Sequence, residues 1–291
     1  DAVKFQTYKP DLYVSKVIDP ERFKMLSKFY LSNDKFKILK DYSNQLGLIF
    51  ISTPFDLNSA KFLNKIVKVF KISSSDINFF PLLEFVSKTK KPILLSTGIA
   101  DISNIKKSLN FIKRFRSLDK VILMHCVSNY PTLPKQANLN NINKLNKLVN
   151  YIGYSDHTIG IDASLCSVSM GVKVIERHFT IDNNYSKFRD HKISSNPSEF
   201  RELVNKVRLY ETLLGEKNFK ISKNINLKSI SRSIAINCDL KAGSLIKKQH
   251  ITWVRPGYGF SPGHESKFIG KKTKLSLKKG SLLKTSDILS K

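Results

Sequence analysis

Short, wholly apolar runs alternate with amphipathic stretches over the first two-thirds of the chain. The runs fall at residues 2–5, 48–52, 68–72, 93–96, 121–125, 152–155 and 172–176. Between them, apolar residues recur at helical spacing, for example over 34–46, 102–115, 139–149, 162–170 and 197–214. Strands apolar on both faces, separated by helices, predict a parallel sheet covered on both sides. The runs number one fewer than a closed eight-stranded barrel needs, and the chain opens inside a run. The pattern therefore predicts an α/β fold, a (β/α)8 barrel of the TIM type lacking its first strand–helix unit in this chain. An open sheet is the alternative.

After Gly215 the pattern changes. Residues 216–228 are polar and lysine-rich and read as a linker. Beyond them lies an internal repeat. Asp239-Leu-Lys-Ala-Gly-Ser-Leu-Ile-Lys-Lys-Gln-His-Ile251 aligns with Ser276-Leu-Lys-Lys-Gly-Ser-Leu-Leu-Lys-Thr-Ser-Asp-Ile288, with the Gly-Ser-Leu core and the final Ile in register. Each copy reads as strand, glycine turn, strand and short helical start, so a small, mostly β domain with pseudo-two-fold symmetry is expected. The division is 1–216 for the barrel domain, 217–229 for the linker and 230–291 for the β domain.

Composition changes this picture little. The net charge of +27 raises nucleic acid as a partner, but it is mostly lysine, spread along the chain, and a lysine-biased genome accounts for it more simply. We expect no nucleic-acid partner and, with no apolar run near the ~20 residues that span a bilayer, no membrane partner. Cys126, Cys166 and Cys238 show no disulfide or metal spacing. They read as small buried hydrophobes of a cytoplasmic protein.

The chemistry is expected where the strands end, because ligands of parallel α/β folds bind at strand C-termini. Polar clusters recur there: Lys4 and Gln6; Ser52, Thr53 and Asp56; Lys71, Ser73, Ser74, Ser75 and Asp76; Ser96, Thr97 and Gly98; His125, Ser128 and Tyr130; Ser155, Asp156 and His157; and His178. A lysine inside an apolar strand, as at Lys4 and Lys71, needs a partner, and an anionic ligand would supply one. Hydroxyls and backbone N–H groups near helix starts, at 96–98 and 155–158, suit phosphate. His157 and His178, one strand–helix unit apart with Asp190-His191 following, are candidates for a divalent metal site with open positions. No set of four ligands for a closed structural zinc site is evident.

These segments resemble a known family. Lys4-Phe-Gln-Thr7, Ser52-Thr-Pro-Phe-Asp56, Phe70-Lys-Ile-Ser-Ser-Ser-Asp76, Leu95-Ser-Thr-Gly98, His125-Cys-Val-Ser-Asn-Tyr-Pro-Thr132, Tyr154-Ser-Asp-His-Thr158, Ile175-Glu-Arg-His-Phe-Thr180 and Arg255-Pro-Gly257 follow one another as in the sialic acid synthases. That family includes N-acetylneuraminate, legionaminate and pseudaminate synthases and spore-coat polysaccharide relatives. The resemblance implies a barrel followed by an antifreeze-like (SAF) domain. It also implies condensation of phosphoenolpyruvate with an N-acyl hexosamine, typically N-acetylmannosamine, to a nonulosonic acid and phosphate.

In that reading His157 and His178 hold Mn2+, with Mg2+ or Co2+ as alternatives. Lys4 and Gln6 meet the phosphoenolpyruvate carboxylate, and Lys71, Thr53, Ser74, Ser96 and Ser155 cradle its phosphate. Ser128 is a further substrate contact, and Tyr130 and Asp190 meet the sugar. Lys4, Lys71, Asp76 and Asp190 are the implied catalytic set. Arg255 reaches the site of a partner subunit in a domain-swapped homodimer. Three departures stand out. No Ala-Glu-Ile-Gly-like segment, with its Glu, precedes Asp1. Asp76 stands where many members have Glu. Phe188-Arg189 replaces a usual Gly-Pro. The competing reading is a non-catalytic, anion-binding remnant of the same family.

Overall fold

The computed structural model describes residues 1–186, 189–216, 218 and 226–289. The chain divides into two compact units, Asp1–Gly215 and Glu216–Lys291. Most of the expected linker, residues 217 and 219–225, lies outside the described residues, as do residues 187 and 188 of the departing loop.

The first unit runs β1 (Ala2–Thr7), α1 (Pro10–Tyr13), α2 (Pro20–Phe29), α3 (Asn33–Gln45), β2 (Ile49–Pro54), α4 (Leu57–Leu63), β3 (Phe70–Ile72), α5 (Phe80–Lys88), β4 (Ile93–Ser96), α6 (Ile102–Lys113), β5 (Val121–Cys126), α7 (Pro134–Ala137), α8 (Asn141–Leu145), β6 (Tyr151–Asp156), α9 (Asp162–Ser169), β7 (Val174–Arg177), α10 (Arg189–Ile193) and α11 (Pro197–Leu214). All seven strands are parallel and lie in sequence order, each beside the next. The sheet curls until Lys4 of β1 and Glu176 of β7 stand 3.9 Å apart. Among the described residues, no ladder joins β1 to β7.

The expected strands are present within a few residues. The helices differ more: 139–149 contracts to the single turn of α8, between flanks rich in Asn. Helix starts follow side-chain chemistry. Asp19, Ser32, Asp56, Asp101 and Asn196 each accept a backbone N–H of the first turn they precede. Asp56 also accepts Lys9 N–H at 2.9 Å, tying the exit of β1 to the start of α4.

Alternation along the strands builds two layers inside the curl. Ile51, Leu94 and Met124, with Val174 against them, form an apolar floor. One pleat further along each strand come Thr53, Ser96, Cys126, Ser155 and Glu176, while Lys71 is the register partner of Leu94 on the same inner face. The opposite face of the sheet, including Phe70, Ile72, Leu95, Leu123 and Ile152, packs under the helices in the main core. The inner face thus turns from apolar to polar toward the strand C-termini.

The second unit holds α12 (Leu227–Ile230) and an antiparallel pair, β8 (Ser233–Ile236) with β9 (Ile251–Val254). The repeat is real in three dimensions. Leu240 and Leu277, equivalent in the two copies, exchange N–H···O bonds of 2.8 Å in both directions. Gly243 and Gly280 both take positive φ, +81° and +88°, where a Cβ would be strained. Ile246 and Leu283 are both fully buried in one core with Phe268. The expected strands of each copy contract to single bridges, and the helical starts are 3-10 turns at Lys248–His250 and Thr285–Asp287. At each turn the residue three along, His250 or Asp287, accepts the backbone N–H of Lys247 or Lys284. Segments of two or three residues between glycine turns are too short for ladders. Among the described residues no helix is long and apolar enough to cross a membrane.

Gly153 of β6 is fixed by close approach. A Cβ there would meet Met124 Sδ at 2.3 Å and the backbone oxygen of Val174 at 2.9 Å. The methionine can move, the strand cannot. Gly153→Ala is therefore expected to destabilise the first unit by about 1–3 kcal/mol, read as a lower urea midpoint at unchanged slope.

Candidate active site

Three charged side chains meet on the inner face. The Glu176 carboxylate lies 3.9 Å from Lys4 Nζ through Oε1 and 3.5 Å from Lys71 Nζ through Oε2. Ser155 Oγ donates to Oε1 at 3.0 Å. The pleat explains this: Lys4, Lys71, Ser155 and Glu176 all occupy inward positions of their strands, and Ser155 and Glu176 are register partners across β6–β7. Burial alone pushes the Glu176 carboxyl up. The two ammonium groups and the serine outweigh it and hold the group at about 2. Burial lowers the Lys4 ammonium, and the neighbouring Lys71 charge adds to that against the pull of Glu176. Two ammonium groups thus share one carboxylate at the wall of a cavity of about 350 Å³, and the charge of Asp190 also attracts Lys4. Gln6, His178 and Asp190 border the same cavity.

Beside this cluster the imidazoles converge. The ring centroids of His157 and His178 are 5.3 Å apart. Tyr130 covers them, 4.2 Å from His157 and edge-on to His178 at 5.9 Å. His157 Nδ1 bonds the carbonyl oxygen of Val127 at 2.7 Å, so that nitrogen carries the proton and Nε2 keeps its lone pair. Burial pushes both imidazoles below their ordinary value. His178 falls to about 3, with Lys4 and His157 adding to the shift. Both rings are thus neutral near pH 7, the form that ligates metal. Among the described residues no cluster of three His, Cys, Asp or Glu side chains suits a metal. The donor set is therefore two neutral imidazoles, which fits an ion completing its shell with water and substrate oxygens.

A third group of hydroxyls surrounds Gly98. Its N–H donates to Ser74 Oγ at 2.9 Å, and Ser74 Oγ lies 3.2 Å from Cys126 Sγ. A Cβ on Gly98 would stand 2.6 Å from Ser128 Oγ. Ser96 Oγ is buried without a hydrogen-bond partner among the described residues. A buried orphan hydroxyl on the inner polar layer is what a ligand oxygen would satisfy. Thr53 is buried in the same layer.

Lys4, Gln6, Lys71, Ser155 and Asp190 thus share the cavity cluster; Tyr130, His157 and His178 meet beside it; and Ser74 and Ser128 meet at Gly98. Asp76 stands apart from these groups. It is half-buried near Tyr13, and burial raises its carboxyl to about 6 against a hydrogen bond from Ser75. Arg255 follows β9 in the second unit and is exposed.

Two expectations are corrected. Residues 96–98 and 155–158 do not offer free helix N-termini, since α6 begins at Ile102 under an Asp101 cap and α9 at Asp162. The cysteines are not uniformly buried: Cys126 is, Cys238 is intermediate and Cys166 is exposed.

Sequence reasoning missed Glu176, which pairs both lysines. The signal was available, because a carboxylate inside Val-Ile-Glu-Arg breaks the same rule that singled out Lys4 and Lys71. Arg177 was missed as well. It donates to Asp156 Oδ2 at 2.6 Å, and both side chains are almost fully buried.

Glu176→Gln leaves two buried ammonium groups without their counter-charge and is expected to cost on the order of 3 kcal/mol. Inorganic phosphate should raise the Tm of this variant more than that of the parent protein. Asp76 acts in the opposite sense to an ion-paired acid. Its native value lies above the unfolded one, so the folded state binds its proton more tightly and stability falls as pH rises from about 4 to about 6. Asp76→Asn should flatten that part of the stability–pH curve, measured by urea unfolding.

Comparison with known proteins gives the same picture. Residues 1–219 match the NeuB family and residues 231–289 the SAF domain. The chain is 40% identical to an uncharacterized protein of Methanocaldococcus jannaschii, over 99% of this chain and 86% of that one. It is 36% identical to the N,N'-diacetyllegionaminic acid synthase of Legionella pneumophila, over 97% and 85%. The crystal structure of N-acetylneuraminic acid synthetase from Leptospira borgpetersenii, solved with citrate, superposes with a TM-score of 0.72 at 32% identity, covering 76% of this chain and 77% of that one. With this sheet, this inner polar layer and these matches over nearly its whole length, the chain belongs to the NeuB family of nonulosonic acid synthases and carries a C-terminal SAF domain.

Proposed function

We propose that this protein condenses phosphoenolpyruvate with an N-acyl hexosamine to give a nonulosonic acid and phosphate. The observation that carries the reading is the pair of ammonium groups, Lys4 and Lys71, gathered around Glu176 and set beside two converging imidazoles. The cations and the orphan hydroxyl of Ser96 suit an anion with carboxylate and phosphate groups. Lys4 and Gln6 would take the carboxylate. Lys71, Thr53, Ser74, Ser96, Ser128 and Ser155 would take the phosphate, and positive charge there stabilises the charge that builds up as phosphate leaves.

The reaction balances as follows. C3 of phosphoenolpyruvate bonds to the aldehyde carbon of the open-chain sugar, water adds at C2, and the resulting tetrahedral carbon expels inorganic phosphate. A divalent ion held by Nε2 of His157 and by His178, Mn2+ in the first instance, would supply Lewis-acid polarisation of the sugar carbonyl. Tyr130 covers both rings from the side where a sugar would sit, and Asp190 borders the cavity. Val127 fixes the proton of His157 on Nδ1, and Glu176 pairs with both lysines.

The fold that goes with this function is a (β/α)8 barrel whose first strand–helix unit is not among these residues. The unladdered edges of β1 and β7, on either side of the cavity, support that reading. So does the partial exposure of both edge strands. The corresponding assembly is a cytoplasmic homodimer with exchanged second units, each Arg255 serving the partner's site.

Phosphate release by the full-length protein is expected to require phosphoenolpyruvate, an N-acyl hexosamine and a divalent ion together. Lys71→Met should lower kcat/KM by about 100-fold or more. Absence of sugar-dependent phosphate release would overturn the reading, and phosphoenolpyruvate binding without turnover would favour the binding remnant.

A further inference from the structure

Along β6 and β7 the side chains alternate between the cavity face and the face beneath the helices. On the cavity face Ser155 is paired with Glu176, and one pleat further the rings of His157 and His178 meet. Between these two levels, on the opposite face, register partners Asp156 and Arg177 form an ion pair of 2.6 Å. Each member of this pair directly precedes one of the histidines.

The pair is wired to both histidine segments. Asp156 Oδ1 accepts the backbone N–H and the hydroxyl of Thr158, both at 2.8 Å, and the Tyr154 hydroxyl at 3.2 Å. Its Oδ2 accepts Ser164 Oγ and Arg177 Nη1, both at 2.6 Å. Arg177 Nη2 donates to the carbonyl oxygens of Thr158 at 3.0 Å and Ile193 at 3.3 Å, and Nε donates to Ser195 Oγ at 2.8 Å. Ser195 N–H in turn donates to the carbonyl oxygen of His178 at 2.9 Å. His157's carbonyl oxygen accepts Thr132 N–H at 2.9 Å. One residue is therefore clamped next to each histidine: Thr158 after His157, and Ser195 across from His178. Both clamps end on the same ion pair.

We infer that Asp156 and Arg177 are positioning residues whose buried pair sets the separation and facing of His157 and His178. Arg177 borders the cavity, but the hydrogen bonds of the pair run to the histidine segments and not to Lys4, Lys71 or Glu176. A charge pair is suited to the task because a guanidinium held by four hydrogen bonds resists rotation more than an apolar contact does. Burying it requires that almost every donor and acceptor be met, and Asp156 meets five donors. The neighbouring strand extends the support: Tyr154, which bonds Asp156, stacks on His125, whose Nε2 bonds the carbonyl oxygen of Ala137.

The inference rests on the proposed metal site in one respect, the use made of the two rings, and its test separates the two. Mn2+ affinity is measured by electron paramagnetic resonance and phosphoenolpyruvate affinity by calorimetry, for the parent protein, Asp156→Asn and the milder Arg177→Lys. Ile112→Val, a core truncation remote from the site, serves as the control for lost stability. Both positioning variants are expected to bind Mn2+ at least about ten-fold more weakly while phosphoenolpyruvate affinity stays within about two-fold; the control changes neither. In the metal-free protein, histidine 15N spectra should show His157 as a single Nδ1–H tautomer in the parent and as a mixture in the variants.

Unchanged Mn2+ affinity together with an unchanged tautomer would overturn the inference, as would equal losses for both ligands. No Mn2+ binding by the parent would overturn the metal reading alone. The positioning role would then stand or fall on the tautomer spectra. If Asp156→Asn fails to fold, Arg177→Lys and Ser195→Ala, which removes only the link to His178, carry the same comparison.

Discussion

Three charges inside a curled sheet set the terms for the rest of this molecule. Lys4, Glu176 and Lys71 come from strands at the start, end and middle of the sheet order, and they can meet only if the sheet curls. Buried charge is costly unless paired, and here two ammonium groups share one carboxylate, with Asp190 adding its pull on Lys4. Two adjacent ammonium groups suit an anionic guest, and the cavity beside them is open to one. The apolar floor of Ile51, Leu94 and Met124 lies beneath the cluster, and Ile51 and Leu94 line the same cavity. The polar layer and the floor are one alternation apart, so a register slip in any strand would break both.

The second level of organisation lies behind the sheet. His178 borders the cavity and His157 packs against its ring, but what holds them is the pair behind, where Asp156 and Arg177 tie the turn after β6 to the segment after α10. Ligand-facing residues and their supports alternate along the same two strands. A short motif such as Tyr154-Ser-Asp-His-Thr158 therefore contains both a candidate ligand and the residue that would aim it. Membership of the NeuB family accounts for the order of the motifs. The geometry accounts for why neighbouring residues within each motif do different work.

Much of this was legible in the chain. Apolar runs located all seven strands because parallel strands are buried on both faces and leave no polar alternation to confuse with helix. Lys4, Lys71, His157 and His178 were visible because charge at a strand end or interior is conspicuous. Glu176 and Arg177 were not singled out, because side by side they look like one solvated charge pair, and only the pleat sends them to opposite faces. Residues 139–149 looked helical by spacing but contain too many Asn for more than a turn. The strands of the C-terminal repeat were overread, since a glycine turn flanked by two or three apolar residues forms bridges rather than ladders. Asp76 and Arg255 could be placed on their elements from sequence, but their distances from the cavity cluster are a tertiary property.

The most direct measurement is a crystal structure of the protein with phosphoenolpyruvate. The account predicts one molecule at the C-terminal end of the strands, its carboxylate toward Lys4 and Gln6, its phosphate against Lys71 and the Ser96 hydroxyl, with Glu176 still bridging the lysines. Phosphoenolpyruvate bound elsewhere on the chain, with both lysines satisfied by Glu176 alone, would contradict it.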